Sequence, residues 1–308
     1  MALVDATIPL IGTPGLPPGP PYPCAALRDW VGQDWSMPPG DPRLRALDRG
    51  APEPIPALAL LAGNRAAWLG NPEYMDFLDD TSPVHPLKRV ERELYEHWWG
   101  AELRPGLRVL DLGGGIGRFT QPCLDRGCDV ELVDPDLRSL RCALDHAAGR
   151  PGRLDLHWTT GECLPDLAPV DLAILCEVLN YVEDPALVLR NVRRVLKPGG
   201  ALLLSVEARW GWALSTDVPP DTLPAFFDGG PVHVAGDRWV RLYDRPDLEA
   251  LLAGWTIEAL VPTHYVVSGP FEVAAGALAT VDVLAAEARL RVHPIAGPLN
   301  RAWTVIAR

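Results

Sequence analysis

Five short apolar runs follow one another along the middle of the chain: RVLDL at 108–112, DVELV at 129–133, LDLHW at 154–158, DLAILC at 171–176 and ALLLSV at 201–206. Amphipathic stretches at 119–125, 137–147 and 185–196 lie between them. Strands separated by helices cannot pair as hairpins, so this alternation predicts parallel neighbours joined by crossover helices through residue 207, an α/β fold. The third helix runs into Pro198-Gly199-Gly200, which stops a helix and turns the chain toward the next strand.

The flanks read differently. Thirteen of the 33 prolines fall within residues 1–56, a density that fixes φ and removes backbone donors repeatedly. With short helical pieces at 57–80, residues 1–80 are expected to form a proline-rich arm, and 81–308 the main domain. HPLKRVERELYEHWW places Leu87, Val90 and Leu94 on one helical face and pairs Arg89 with Glu93 and Arg92 with Glu96 four residues apart. Residues 208–238, rich in Pro and Gly, are too irregular for one element and read as a lid inserted after strand five. Beyond it, the pattern predicts a helix at 246–252, a strand at WTIEALV, one long apolar helix at 271–290 and a last strand in RAWTVIAR.

Composition narrows the partners. A formal net charge of -12 disfavours a phosphate backbone or an anionic lipid surface, so neither nucleic acid nor membrane is expected. No basic region followed by an apolar run opens the sequence, and no stretch has the roughly 20 apolar residues of a membrane span; a cytoplasmic protein is expected. The six cysteines, Cys24, Cys123, Cys128, Cys142, Cys163 and Cys176, lack CxxC spacing and mostly fall in core-like segments, as free buried thiols do. No metal is expected.

Val109 to Gly117 reads as an apolar strand entering a glycine turn that opens a helix, VLDLGGGIG. Glycines there let backbone amides approach a ligand and present helix N-terminal donors. A dinucleotide fingerprint counted from Gly113 needs a third glycine at 118, where the chain has Arg118, which argues against a nicotinamide oxidoreductase.

The turn resembles the DxGxGxG motif of class I S-adenosylmethionine-dependent methyltransferases, matched by Asp111, Gly113, Gly115 and Gly117, and the branch is similar to ubiquinone-biosynthesis enzymes. Later stations of that family follow in order. Strand DVELVD ends in Asp134, followed by Pro135; GECLP, with Glu162 and Cys163, resembles the adenine-binding GDAxxLP segment; CEVLNYV, with Cys176 and Glu177, resembles CEVLEHV beside the methionine part of the cofactor; RVLKPGG matches the turn before strand five. The resemblance implies a Rossmann-like, seven-stranded, mostly parallel sheet with helices on both faces and S-adenosylmethionine as cofactor. It further implies that Asp134 accepts from the ribose hydroxyls and Glu162 from the adenine amino group.

Methyl transfer by in-line displacement needs a nucleophile held against the methyl carbon, and positioning can supply much of the acceleration. Candidate bases or orienting groups are His233, His264 and Tyr181, with His85 a further histidine near the first helix; Tyr181 stands where the family commonly has histidine. Trp210, Trp212, Phe226, Phe227 and Trp239 cluster in or beside the lid, and Tyr74 and Met75 precede the first helix. The aromatics are candidates to shield a small-molecule acceptor, or to form a second small core. The expected activity is methyl transfer to a metabolite, with oxygen the first acceptor atom and nitrogen or carbon behind it; a protein that binds the cofactor without transferring methyl is the alternative. A homodimer remains open, the arm being equally a cleft cover, an oligomer contact or a tail.

Overall fold

The computed structural model describes residues 44–45, 77–82, 84–213, 220, 223–233, 239–267 and 271–308. Tyr74, Met75, Cys24 and nearly all of the proline-rich arm lie outside them. The chain forms two compact units, divided at Leu103/Arg104 and at Ala201/Leu202, and each is described by itself.

The first unit carries β1 (Leu44–Arg45), β2 (Arg108–Leu112), α2 (Thr120–Asp125), β3 (Asp129–Asp134), α3 (Leu137–Ala147), β4 (Arg153–Trp158), β5 (Val170–Cys176) and α4 (Pro185–Val195), and β6 (Leu196–Glu207) begins there. Its strands run in the order β1-β4-β3-β2-β5. All are parallel, with Leu110 opposite Glu131 on one side and Ala173 on the other. Val109, Leu110, Leu132, Val133, Ile174 and Leu175 are fully buried, as strands covered on both faces must be. Each such side chain contributes about 1.5–3 kcal/mol by leaving water. α4 starts where the sequence says it should: Asp184 caps it by accepting from the Leu187 N–H at 2.8 Å, and Pro185 occupies the first turn. Its end differs from expectation. The helix stops at Val195, but β6 starts at once at Leu196 and passes through Lys197-Pro198-Gly199-Gly200 without a separate turn, Gly199 taking φ +76°.

The second unit begins with α1 (His85–Trp99) and, after β6, contains α5 (Arg209–Ala213), α6 (Leu223–Asp228), β7 (Pro231–His233), β8 (Trp239–Arg241), α7 (Arg245–Leu251), β9 (Ile257–Thr263), α8 (Glu272–Ala277), α9 (Thr280–Arg291) and β10 (Ala302–Ala307). β10 lies antiparallel between β6 and β9, with Val305 opposite Leu204 and Leu260. With β2–β6 these two strands give, among the described residues, the seven-stranded, mostly parallel α/β sheet expected, and β1 adds a two-residue strand beside β4. α1 buries Val90, Leu94, Tyr95 and Trp99, and both expected ion pairs form on its other face, Arg89–Glu93 at 2.8 Å and Arg92–Glu96 at 3.6 Å.

Two expectations need correction here. The single apolar helix at 271–290 is broken at Leu278 and Ala279, whose ψ angles of 155° and 147° are extended. Ala275 of α8 and Val283 of α9 both enter one core with Val90, Leu94, Val266 and Val267, and the break lets each helix present its own apolar face there. The segment 208–238 also holds more regular structure than its composition suggests, namely α5, α6 and β7, which pairs antiparallel with β8. No helix among the described residues is long and apolar enough to cross a membrane.

Candidate functional site

The glycine turn leaves the carboxyl end of β2 in a backbone form that few residues tolerate. Gly113 takes φ +67°, and a Cβ there would lie 2.5 Å from the Val178 side chain. Gly115 takes φ +56°, yet a Cβ there would meet nothing within 4 Å, so its outer side is open to a ligand. Gly117 completes the turn at φ +95°. Asp111 does not face outward. It is buried beneath the turn, accepting from the Thr120 hydroxyl at 2.6 Å, and burial pushes its carboxyl up to about 6 against the pull of that hydrogen bond and of Arg118.

Asp134, the last residue of β3, meets the turn from the neighbouring strand. Its Oδ2 accepts from the Gly115 N–H at 2.9 Å and its Oδ1 from the Asp136 N–H at 2.8 Å. Burial, and then the Asp136 charge, raise it to about 7. A carboxylate has about four lone-pair sites, so two amides leave capacity for ligand hydroxyls. The Pro135 carbonyl is taken by the Trp158 indole N–H at 3.0 Å, which fixes the chain where it leaves β3.

At the end of β5 the structure adds to the expected Cys176 and Glu177 a residue that sequence reasoning missed. Arg118, noted only as a departure from the dinucleotide pattern, directs Nη2 to Cys176 Sγ at 3.1 Å and to Glu177 Oε2 at 3.3 Å. Glu177 is one of two described non-glycine residues with positive φ, at 59°. Such a conformation costs of order 1–3 kcal/mol and tends to be kept at functional positions. The signal for Arg118 was available in the sequence: an arginine directly after the glycine turn. Tyr181 is half-buried, and its N–H donates to the Val178 carbonyl at 3.0 Å.

Glu162 lies in the single helical turn at Gly161–Cys163. It is 4% exposed, its Oε1 accepts from the Glu183 N–H at 2.9 Å, and burial raises its carboxyl despite further hydrogen bonds from Thr160 and Asp184. The Cys163 N–H donates to the Thr160 carbonyl at 3.1 Å, and Asn191 Nδ2 holds the carbonyls of Gly161 and Glu162 at 3.1 and 2.8 Å. This turn is therefore tied to the 183–184 segment and to α4.

A family model described as a methyltransferase domain matches residues 75–257, more than half of the chain. The chain belongs to the class I, S-adenosylmethionine-dependent methyltransferase family. Among curated proteins, a ubiquinone biosynthesis O-methyltransferase of Caulobacter sp. (strain K31) is 31% identical over 154 residues, 42% of this chain and 61% of that protein. An uncharacterized methyltransferase of Mycobacterium bovis is 40% identical over 111 residues, 34% of this chain and 43% of its own length. The chain thus spans less than two thirds of these relatives. In fold it is similar to a solved Pyrococcus horikoshii OT3 protein, with a TM-score of 0.57 at 18% identity, covering 79% of this chain and 98% of that one.

The residues present are of the kind that the family's cofactor, a diol-bearing nucleoside with a zwitterionic tail, would need: the open side of Gly115, the acceptor oxygens of Asp134 and the Arg118–Glu177 pair could hold it. The remaining expected residues belong to the second unit. His264 is core: Nδ1 meets the Thr263 hydroxyl at 2.8 Å, Nε2 meets the Glu91 carbonyl at 3.2 Å, and the ring packs on Tyr95 at 4.1 Å. Neither nitrogen can take a substrate proton without giving up a hydrogen bond. His85 Nδ1 is engaged by the Phe77 carbonyl at 3.0 Å. His233 lies on β7, opposite Trp239. Trp212 is buried, whereas Trp210 and Phe227 are 45% and 58% exposed and form, with Phe226, an aromatic trio with ring centroids 5.3–6.4 Å apart.

Proposed function

We propose that this methyltransferase acts on an oxygen of a small, aromatic or apolar acceptor. The observation that carries the reading is the pair of exposed aromatics Trp210 and Phe227, both packed on the buried Phe226, since large aromatics left in water side by side are suited to stacking on a planar ligand. The name of the Caulobacter relative, an O-methyltransferase of ubiquinone biosynthesis, supports oxygen as the acceptor atom.

The cofactor supplies an electrophilic methyl group on a sulfonium. In our reading Asp134 accepts from the ribose hydroxyls, the Gly113–Gly117 turn approaches the ligand closely, and Arg118 and Glu177 orient its carboxylate and ammonium ends as a charge-assisted pair. Tyr181 and His233 are the candidates to orient the acceptor or take its proton; His264, with both nitrogens engaged, is set aside. Positioning of the acceptor and exclusion of water then lower the barrier.

Calorimetric titration with S-adenosylmethionine, S-adenosylhomocysteine and NADH, followed by a methyl-transfer screen over phenols, amines and activated carbon acids, tests the reading. Binding of both adenosyl ligands with turnover of phenols is expected. Turnover confined to amines or carbon acids would overturn oxygen as the acceptor, and binding without turnover of any acceptor would favour a cofactor-binding protein.

A further inference from the structure

α2, the short helix that follows the glycine turn, ends in an arrangement that brings two cysteines together. The Arg126 N–H donates to the Cys123 carbonyl at 3.0 Å, the Gly127 N–H to the Leu124 carbonyl at 2.9 Å, and the Cys128 N–H back to the Cys123 carbonyl at 3.1 Å. Gly127 takes φ +71°. This is a Schellman closure, with Gly127 as the left-handed residue, and that closure brings the side chain just past the glycine onto the one three residues before the helix end. In most helices the two are an apolar contact. Here they are Cys128 and Cys123, both 1% exposed, and the Cys128 thiol donates to the Arg104 carbonyl at 3.3 Å. The 3.1 Å amide–carbonyl bond, with standard bond lengths, bounds the Cα–Cα distance at about 7 Å, close to the upper end of what a disulfide spans.

We propose that Cys123 and Cys128 are a modification site: a dithiol that a peroxide-class oxidant converts to an intramolecular disulfide across the end of α2, loosening the cofactor site. The chemistry balances. The Cys128 sulfur attacks one peroxide oxygen and becomes a sulfenic acid as the other oxygen leaves as water; Cys123 then attacks that sulfur, its proton going to the departing hydroxide, which leaves as a second water. Two thiols are oxidised by two electrons and one peroxide is reduced to two waters. The neighbouring Cys123 lowers the Cys128 thiol below its usual range and Cys128 in turn raises Cys123, which makes Cys128 the attacking sulfur once its proton leaves the Arg104 carbonyl.

The site is coupled to the cofactor motif through six residues of helix. Thr120, at the start of α2, holds Asp111 under the glycine turn, and the Asp111 charge acts on Cys123. A covalent bond at the far end of so short a helix shifts the residue that positions Asp111.

The test uses the full chain at pH 7.5, with and without hydrogen peroxide, quenched with an alkylating agent and mapped by non-reducing peptide mass spectrometry; S-adenosylhomocysteine affinity is measured on the same samples. A Cys123–Cys128 linked peptide, a loss of affinity of fivefold or more, and recovery of both by dithiothreitol are expected. If both thiols remain alkylatable, or pair with Cys142, Cys163 or Cys176, the site is refuted. A linked peptide with unchanged affinity would overturn the coupling. Cys128→Ala, which keeps the buried volume nearly apolar, should bind S-adenosylhomocysteine normally and lose the oxidant response; a retained response would also refute the assignment.

Discussion

Asp134→Asn should make the protein a poorer cofactor binder and, at alkaline pH, a more stable fold. The wild-type carboxyl is raised from 3.8 to about 7, chiefly by burial. Because the folded value lies above the unfolded one, the favourable contribution is fully present below pH 3.8 and is lost as pH rises through about 7. Each pH unit in that window changes stability by about 1.4 kcal/mol, so wild type should lose about 2–3 kcal/mol between pH 5 and pH 8 from this group. Asn, which does not ionise, lacks that loss. For the ligand the sign reverses: removing a charge-assisted acceptor costs about 1.5–3 kcal/mol, roughly ten- to a hundredfold in Kd. Urea midpoints at pH 5 and pH 8 and calorimetry with S-adenosylhomocysteine at pH 8 measure both. Parallel stability–pH curves for the two proteins would refute the buried-carboxyl argument; an unchanged Kd in a folded variant would refute the ribose contact.

Gly113→Ala should destabilise by about 2 kcal/mol or more, since it combines a left-handed φ with a Cβ 2.5 Å from Val178, whereas Gly115→Ala should cost only the conformational part, about 1 kcal/mol, on thermal denaturation. Arg118→Gln should weaken S-adenosylhomocysteine about tenfold and leave 5′-methylthioadenosine, which has no amino-acid end, unchanged; equal losses on calorimetry would remove Arg118 from that role. The double variant Trp210→Ala/Phe227→Ala, altering two exposed side chains, should hold its melting temperature and cofactor affinity while losing at least tenfold in kcat/KM for an aromatic acceptor. A collapse of stability would make the trio a small core instead.

The strands of the first unit and their crossover helices were legible because burial on both faces writes near-continuous apolar runs, and Pro and Gly punctuate the helices between them. The glycine spacing 113, 115, 117 likewise announced itself, since the backbone requires φ above zero at each. Glu162 was legible as an acid after the third apolar run but its partners were not: only the fold brings the Glu183 and Asp184 amides to its carboxylate. His264 looked like any histidine until both nitrogens and a ring partner were found for it.

What the sequence determined by itself was periodic or conformational: an α/β sheet, its crossover helices, a glycine turn and the acid at the end of β3. These follow from local steric and solvation rules that act on residues close together in the chain. The tertiary structure alone decided which long-range partners each polar side chain meets. Arg118 finds Glu177 across 59 residues, Asp134 finds Gly115 across 19, and the apolar helix after residue 271 breaks so that Ala275 and Val283 can share a core with α1. A buried charge or a kinked helix is stable only through the particular groups packed against it, and those groups are set by the fold, not by sequence proximity.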